Sequence, residues 1–243
     1  MRRLIRGDIR RILSKLGFYI LPALFYLLMY VDPSESSGKK YDFDMSYSAL
    51  VLIYKNIFAF IVAIPVFIGV YADELKAGAM QTCIGRGLSR VKILFSKFID
   101  TVILTVFFYL FSYCLEIVVM RFHLVYPTPQ QNLSVIVVFG ASCLKCIGAL
   151  AFAAIFIYIT WNSSVGVVVL IISLGCAEPL LRFIQVNTKL PLLDFSYMGV
   201  VDQAFANIAA GSNWILPVLI ALAYLGIFIW ISVAVFNRKE LEL

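Results

Sequence analysis

The sequence predicts an all-α integral membrane protein, one transmembrane domain over residues 1–243. Two observations carry that class, the composition and the spacing of the apolar segments. Hydrophobic residues are 62% of the chain, charged residues 14%, and the mean hydropathy is +0.95. A soluble domain has about 45–50% apolar and about 25% charged residues. Apolar runs near 16–31, 50–72, 98–120, 133–161, 163–182 and 214–236 each approach the ~20 residues that a helix needs to cross hydrocarbon. A helix closes its own backbone hydrogen bonds, so six helices in a bundle satisfy these segments.

Residues 1–15 come first. In RRLIRGDIRRILSK and the leucine that follows it, the apolar residues Leu4, Ile5, Ile9, Ile12, Leu13 and Leu16 recur at helical spacing, with basic residues on the other face. That pattern predicts an interfacial elbow helix lying flat in the inner headgroup layer. A charged tail that only fixes topology is the plainer alternative. A cleaved signal peptide fits less well, because no small-x-small site follows Val31.

The first span is short. Between the second and third lies residues 73–97, DELKAGAMQTCIGRGLSRVKILFSK, a polar, basic, Gly-punctuated island between oily segments. Such an insert calls for a partner in water. The fourth and fifth spans are parted only by a tight turn at Thr160–Ser164, through Trp161, Asn162 and Ser163. Pro179 is expected to bend or end the fifth span, since it lacks an N–H and crowds the preceding turn. The outer segment 183–213, broken by Pro191, Gly199 and Gly211, predicts one or two short helices dipping into the outer leaflet. Trp214 then anchors the sixth span at the interface.

Charge sets the orientation. Arg2, Arg3, Arg6, Arg10, Arg11, Lys15, Lys76, Arg86, Arg90, Lys92, Lys97, Arg238 and Lys239, thirteen of the 20 basic residues, fall on one side. The opposite first loop is acidic, with Asp32, Glu35, Asp42 and Asp44. Both termini are therefore expected in the cytoplasm of a multi-pass plasma-membrane protein. The net charge of +6 reads as topology, with no nucleic-acid partner implied.

Ionisable residues inside spans are expensive and usually face a partner or water. Lys55, Glu116 and Glu178 lie at matching depths near the outer ends of their spans, which suggests a Lys55–Glu116 or Lys55–Glu178 pair. Lys145 stands apart near the middle of the fourth span, and Asp100 sits at the inner end of the third. Two readings stand: ion pairs that hold the bundle, or a polar lining for amphipathic cargo. Cys143 and Cys146 form C-x-x-C inside a span, where small packing residues explain them better than a metal site.

No sequence motif points to catalysis by this chain. There is no H-E-x-x-H, G-x-S-x-G or P-loop, and the single histidine, His123, lies on the outer side. No internal repeat of the secondary-transporter kind is evident.

Six spans, cytoplasmic termini, the basic elbow, the irregular outer segment and the insert together resemble the permeases of ABC-2-type (type V) ABC exporters. That family's insert runs from an acidic residue to Gly-Thr, then a Gly-[small]-Ser-Arg turn, then a Lys opening the third span. The matching positions are Glu74, Gly78-Ala79, Gly87-Leu88-Ser89-Arg90 and Lys97, with Ala79 where Thr is usual. The resemblance implies a coupling helix around 74–86, holding Glu74, Lys76, Gly78 and Arg86, seated on a separate cytoplasmic ABC ATPase that binds the ATP and Mg. It implies that Ser89 caps the helix running into the third span, and that Trp161 and Asn162 make a second contact. The plainer reading of Arg86, Arg90 and Lys92 is positive-inside charge. A second permease chain, identical or paralogous, completes the pathway. The expected cargo is an amphipathic peptide (a bacteriocin, cytolytic or antimicrobial peptide), for export or self-immunity. The alternatives are a lipid-linked glycan or drug-like molecule, or an ATP-independent channel or membrane scaffold.

Overall fold

A computed structural model of the chain describes residues 2–30, 47, 51, 53–54, 57–76, 83–85, 87–122 and 126–238, with backbone alone for 2–3, 28–30, 74 and 76. Among these residues there are helices and no strand.

Helix α1 is Arg2–Leu13. It buries Ile12 and turns at Ser14, whose Oγ donates to the Arg11 carbonyl. Helix α2, Leu16–Tyr30, accommodates Pro22 and turns Phe18 and Phe25 inward. Those rings meet Phe108 and Phe58 at centroid distances of 5.2 and 5.3 Å. Helix α3, Phe58–Phe67, runs on as a π-helical turn, Ile68–Ala72, in which the Asp73 N–H reaches back to the Ile68 carbonyl. Gly69 in that turn lies against α1, where a Cβ would stand 3.1 Å from Ile12 Cγ2. Helix α4 is the short Asp73–Lys76.

Helix α5, Arg90–Phe122, has 33 residues, about 50 Å at 1.5 Å per residue. It starts well before the apolar run at 98. Nothing in Arg90–Lys97 breaks a helix, and the first obstacle upstream is Gly87, at φ +82°. Polar residues thus extend the span as a stalk, and the non-helical part of the insert is shorter than 73–97 suggests.

Helix α6, Pro129–Thr160, is the axis of the bundle. Thr128 and Gln131 form a reciprocal capping box at its start, with Pro129 in the first turn. Trp161 ends it in the left-handed conformation, φ 54°. Asn162 then caps α7, Ser163–Gly175, by accepting the Ser164 N–H. This two-residue corner folds α7 back along α6 at the place the sequence divides the fourth and fifth spans.

The bend after α7 is not at Pro179. The chain breaks at Cys176, and α8, Ala177–Thr188, departs at 50° with Pro179 in its first turn. A proline ring clashes with the carbonyl four residues back, here Gly175, the last residue of α7. The helix therefore breaks before the proline, whose missing N–H has no helical partner to lose in a first turn. Helices α9, Leu192–Phe195, and α10, Tyr197–Ala209, follow, and α11, Ile215–Arg238, closes the chain.

Helix α10 packs in the angle between α6 and α11. Gly148 permits the approach: a Cβ there would fall 1.9 Å from Tyr197 Cε1. The Tyr197 hydroxyl donates to the Leu144 carbonyl at 2.6 Å, and the Tyr224 hydroxyl to the Phe195 carbonyl at 2.5 Å.

Among the described residues three helices, α5, α6 and α11, are long and apolar enough to cross a membrane, or four if the bent pair α7–α8 counts as one span. Helix α2 and the α3–π segment are apolar but shorter. Of the most apolar stretch of each long helix, 56% is buried in α6, 28% in α5 and 17% in α11. So α6 is wrapped by protein, while α5 and α11 turn most of their apolar surface outward.

Candidate functional site

The polar residues gather at two places. The first lies where the 73–89 segment leaves and rejoins the bundle. At the exit, Asp73 follows the π turn and meets Lys15, in the α1–α2 corner, at 2.6 Å. At the return, the Ser89 carbonyl accepts the Ile93 N–H, which puts Ser89 at the head of α5. Arg90 follows, and its Nη1 donates to the carbonyls of Phe236 and Asn237 at 3.1 and 3.2 Å. These carbonyls belong to the last turn of α11, where no helical N–H reaches them and cations are favoured.

Phe236 is the hub of this end. Its ring lies 5.1 Å from Tyr158 and 6.0 Å from Trp161, so α11 is packed onto the last turn of α6 and the α6–α7 corner. Two turns into α5, Lys97 is buried, 2% exposed. It donates to Asp8 of α1 at 2.5 Å, with Asp100 at 4.0 Å. Thr101 donates to the Lys97 carbonyl at 2.8 Å and shares a hydrogen bond with the Tyr71 hydroxyl of the π turn.

The residues assigned to coupling divide accordingly. Arg90, Trp161 and Asn162 lie together at this end, with Ser89 at its edge. Glu74 and Lys76 lie in α4, and Gly87 occupies a left-handed turn. Gly78 and Arg86 lie outside the described residues, as does most of the expected 74–86 helix, of which 74–76 and 83–85 are helical. Lys97 does not face outward: it is an internal tie between α5 and α1.

The second place surrounds Lys145, 7% exposed in α6. Its Nζ lies 2.7 Å from Asp202 of α10 and 3.4 Å from Glu178 of α8, and Glu178 also pairs with Arg182 at 3.1 Å. Asp202 and Arg182 are the wetter members, at 39% and 64% side-chain exposure. This is a graded set of charges, from a buried lysine to an exposed arginine. Lys55 lies outside the described residues, and Glu116 forms no ion pair among them. Cys143 and Cys146 are free thiols, and Cys146 is buried against the Ala59 carbonyl.

Sequence reasoning missed Asp8, Asp73 and Asp202. Asp8 is the one acid in a basic helix, and Asp202 lies between Val201 and Gln203 in a broken, largely apolar segment. A lysine as deep as Lys145 demanded a carboxylate, and that demand was the available signal for Asp202. Comparison of the chain with family models, with curated proteins and with solved structures gives no match.

Proposed function

We propose that the chain is the membrane subunit of an ATP-driven exporter, with six spans, both termini in the cytoplasm, and hydrolysis in a separate ABC ATPase. One observation carries this reading: both ends of the 73–89 segment are tied by charged side chains to other helices. Asp73 holds the α1–α2 corner through Lys15, Arg90 holds the end of α11, and Lys97 holds α1 through Asp8. A force applied to the insert is thereby delivered to α1, α5 and α11 together. A topological loop with no mechanical duty needs no such ties.

The insert seats on the ATPase, and the α6–α7 corner, joined to the same end through Phe236, makes the second contact. A second permease chain supplies the other half of the pathway. The cargo is an amphipathic peptide. The Lys145 cluster supports this, since it offers both charge signs beside aromatic helices. ATP and Mg stay with the partner.

The test is a gentle detergent extraction of the chain from its native membrane, followed by mass spectrometry of what accompanies it. A stoichiometric soluble subunit with a P-loop, lost when residues 74–86 are replaced by a Gly-Ser linker, is the expected result. Its absence would sink the exporter reading and favour an ATP-independent channel or scaffold.

A further inference from the structure

We propose that the outward face of α1 is a docking surface for anionic phospholipid headgroups. Two ridges run side by side on that face. Ile5, Ile9 and Leu13, each four residues apart, form an apolar ridge, and Arg6, Arg10 and Ser14 form a polar one beside it. Together these six residues line a shallow open groove of about 700 Å³. Arg6 and Arg10 are exposed, and neither pairs with a carboxylate among the described residues. The only acid in α1, Asp8, is engaged by Lys97. The groove therefore presents positive charge with no counter-ion among the described residues.

The helix is also fixed in rotation. Ile12 is 1% exposed and sits over Gly69, Lys97 holds Asp8, and Lys15 beyond the helix holds Asp73. The two ridges cannot roll inward without breaking these contacts. An apolar ridge alone takes acyl chains of any lipid. Guanidinium groups at its margin add a demand for phosphate, which they bind in a bidentate fork. Apolar side chains at the acyl boundary with arginines at headgroup depth is the geometry of an interfacial helix on an anionic leaflet. An acidic protein segment would answer the charge but leave the isoleucine ridge uncovered, so the lipid is the better fit.

The experiment is native mass spectrometry of the full chain, offered equal amounts of phosphatidylglycerol and phosphatidylcholine. The expected result is preferential retention of phosphatidylglycerol, reduced roughly 30-fold in R6Q/R10Q. R6K/R10K keeps most of the preference, and R121Q, at the far end of α5, keeps all of it. No preference in the unmodified chain overturns the proposal and leaves the face to an acidic protein segment. A preference that survives R6Q/R10Q overturns it as well. Photoactivatable phosphatidylglycerol added to the unmodified chain gives a test that needs no variant: adducts belong on residues 2–15, and adducts confined elsewhere refute the assignment.

Discussion

Lys97 of α5 grips Asp8 of α1 at 2.5 Å, with the lysine side chain 3% exposed and the aspartate 14%. A buried pair of this kind contributes little over an apolar pair of the same shape, but removing one partner strands a charge at a cost of about 3–5 kcal/mol. Asp8→Ala should therefore lower the melting temperature of the detergent-solubilised protein clearly. Asp8→Leu with Lys97→Met and Asp100→Asn, which also neutralises the second acid beside the lysine, should recover most of the loss. A triple variant as unstable as Asp8→Ala would show that Asp8 and Lys97 act separately.

The Lys145 cluster gives a graded series. Asp202→Asn removes the 2.7 Å partner of Lys145 but leaves Glu178 at 3.4 Å, so the lysine keeps one counter-charge. Asp202→Asn with Glu178→Gln leaves it with neither, and the loss should exceed the sum of the single variants, as for residues of one network. Limited proteolysis within 189–213 reports it, because Asp202 helps hold α10 to α6. Strict additivity would rule out a shared lysine.

Gly148→Ala places a methyl group where Tyr197 Cε1 lies 1.9 Å away. Overpacking of this sort costs about 1–3 kcal/mol, and here it pushes α10 off α6. Tyr197→Ala in the same chain removes the obstacle, so the double variant should be no less stable than Tyr197→Ala alone. Thermal unfolding of the three variants distinguishes a local clash from a general loss of packing.

Arg90 tests transmission. Arg90→Ala frees the last carbonyls of α11 while leaving the apolar contacts of Phe236 in place. On the proposed exporter reading, a complex reconstituted with an ABC ATPase should keep hydrolysing ATP while transport falls several-fold. Adding Glu74→Ala should deepen the loss with insertion and folding intact. Unchanged transport in the double variant would remove the lever role from this end of the bundle.

Much of the architecture is legible in residue order. All six apolar runs contain a helix, the Trp161–Asn162 corner lies where small polar residues interrupt two oily segments, and the elbow pattern becomes α1. Helix ends were harder to read. Hydropathy marks where oil begins, whereas the head of α5 is set by Gly87 and Ser89, which precede the oil by a long stalk. The break in the fifth span shows the same limit, since Pro179 acts on Gly175 rather than on itself. Depth along a span exposed Lys145 as anomalous, but pairing depends on which helices meet. Asp202 reaches Lys145 only because α10 folds back between α6 and α11.

The π turn at Ile68–Ala72 has a consequence for angular phase. It holds one residue more than α-helical winding requires, since its bonds close over five residues rather than four. Each residue of an α-helix advances the chain by about 100°. The chain therefore reaches Asp73 on a bearing set by that single surplus residue. Excising one residue of the turn would straighten the winding, swing the departing strand of polypeptide about a quarter-circle, and aim Asp73 away from Lys15. The compass heading of the chain at Asp73 is thus written in a five-residue turn, four members of which are buried in the bundle.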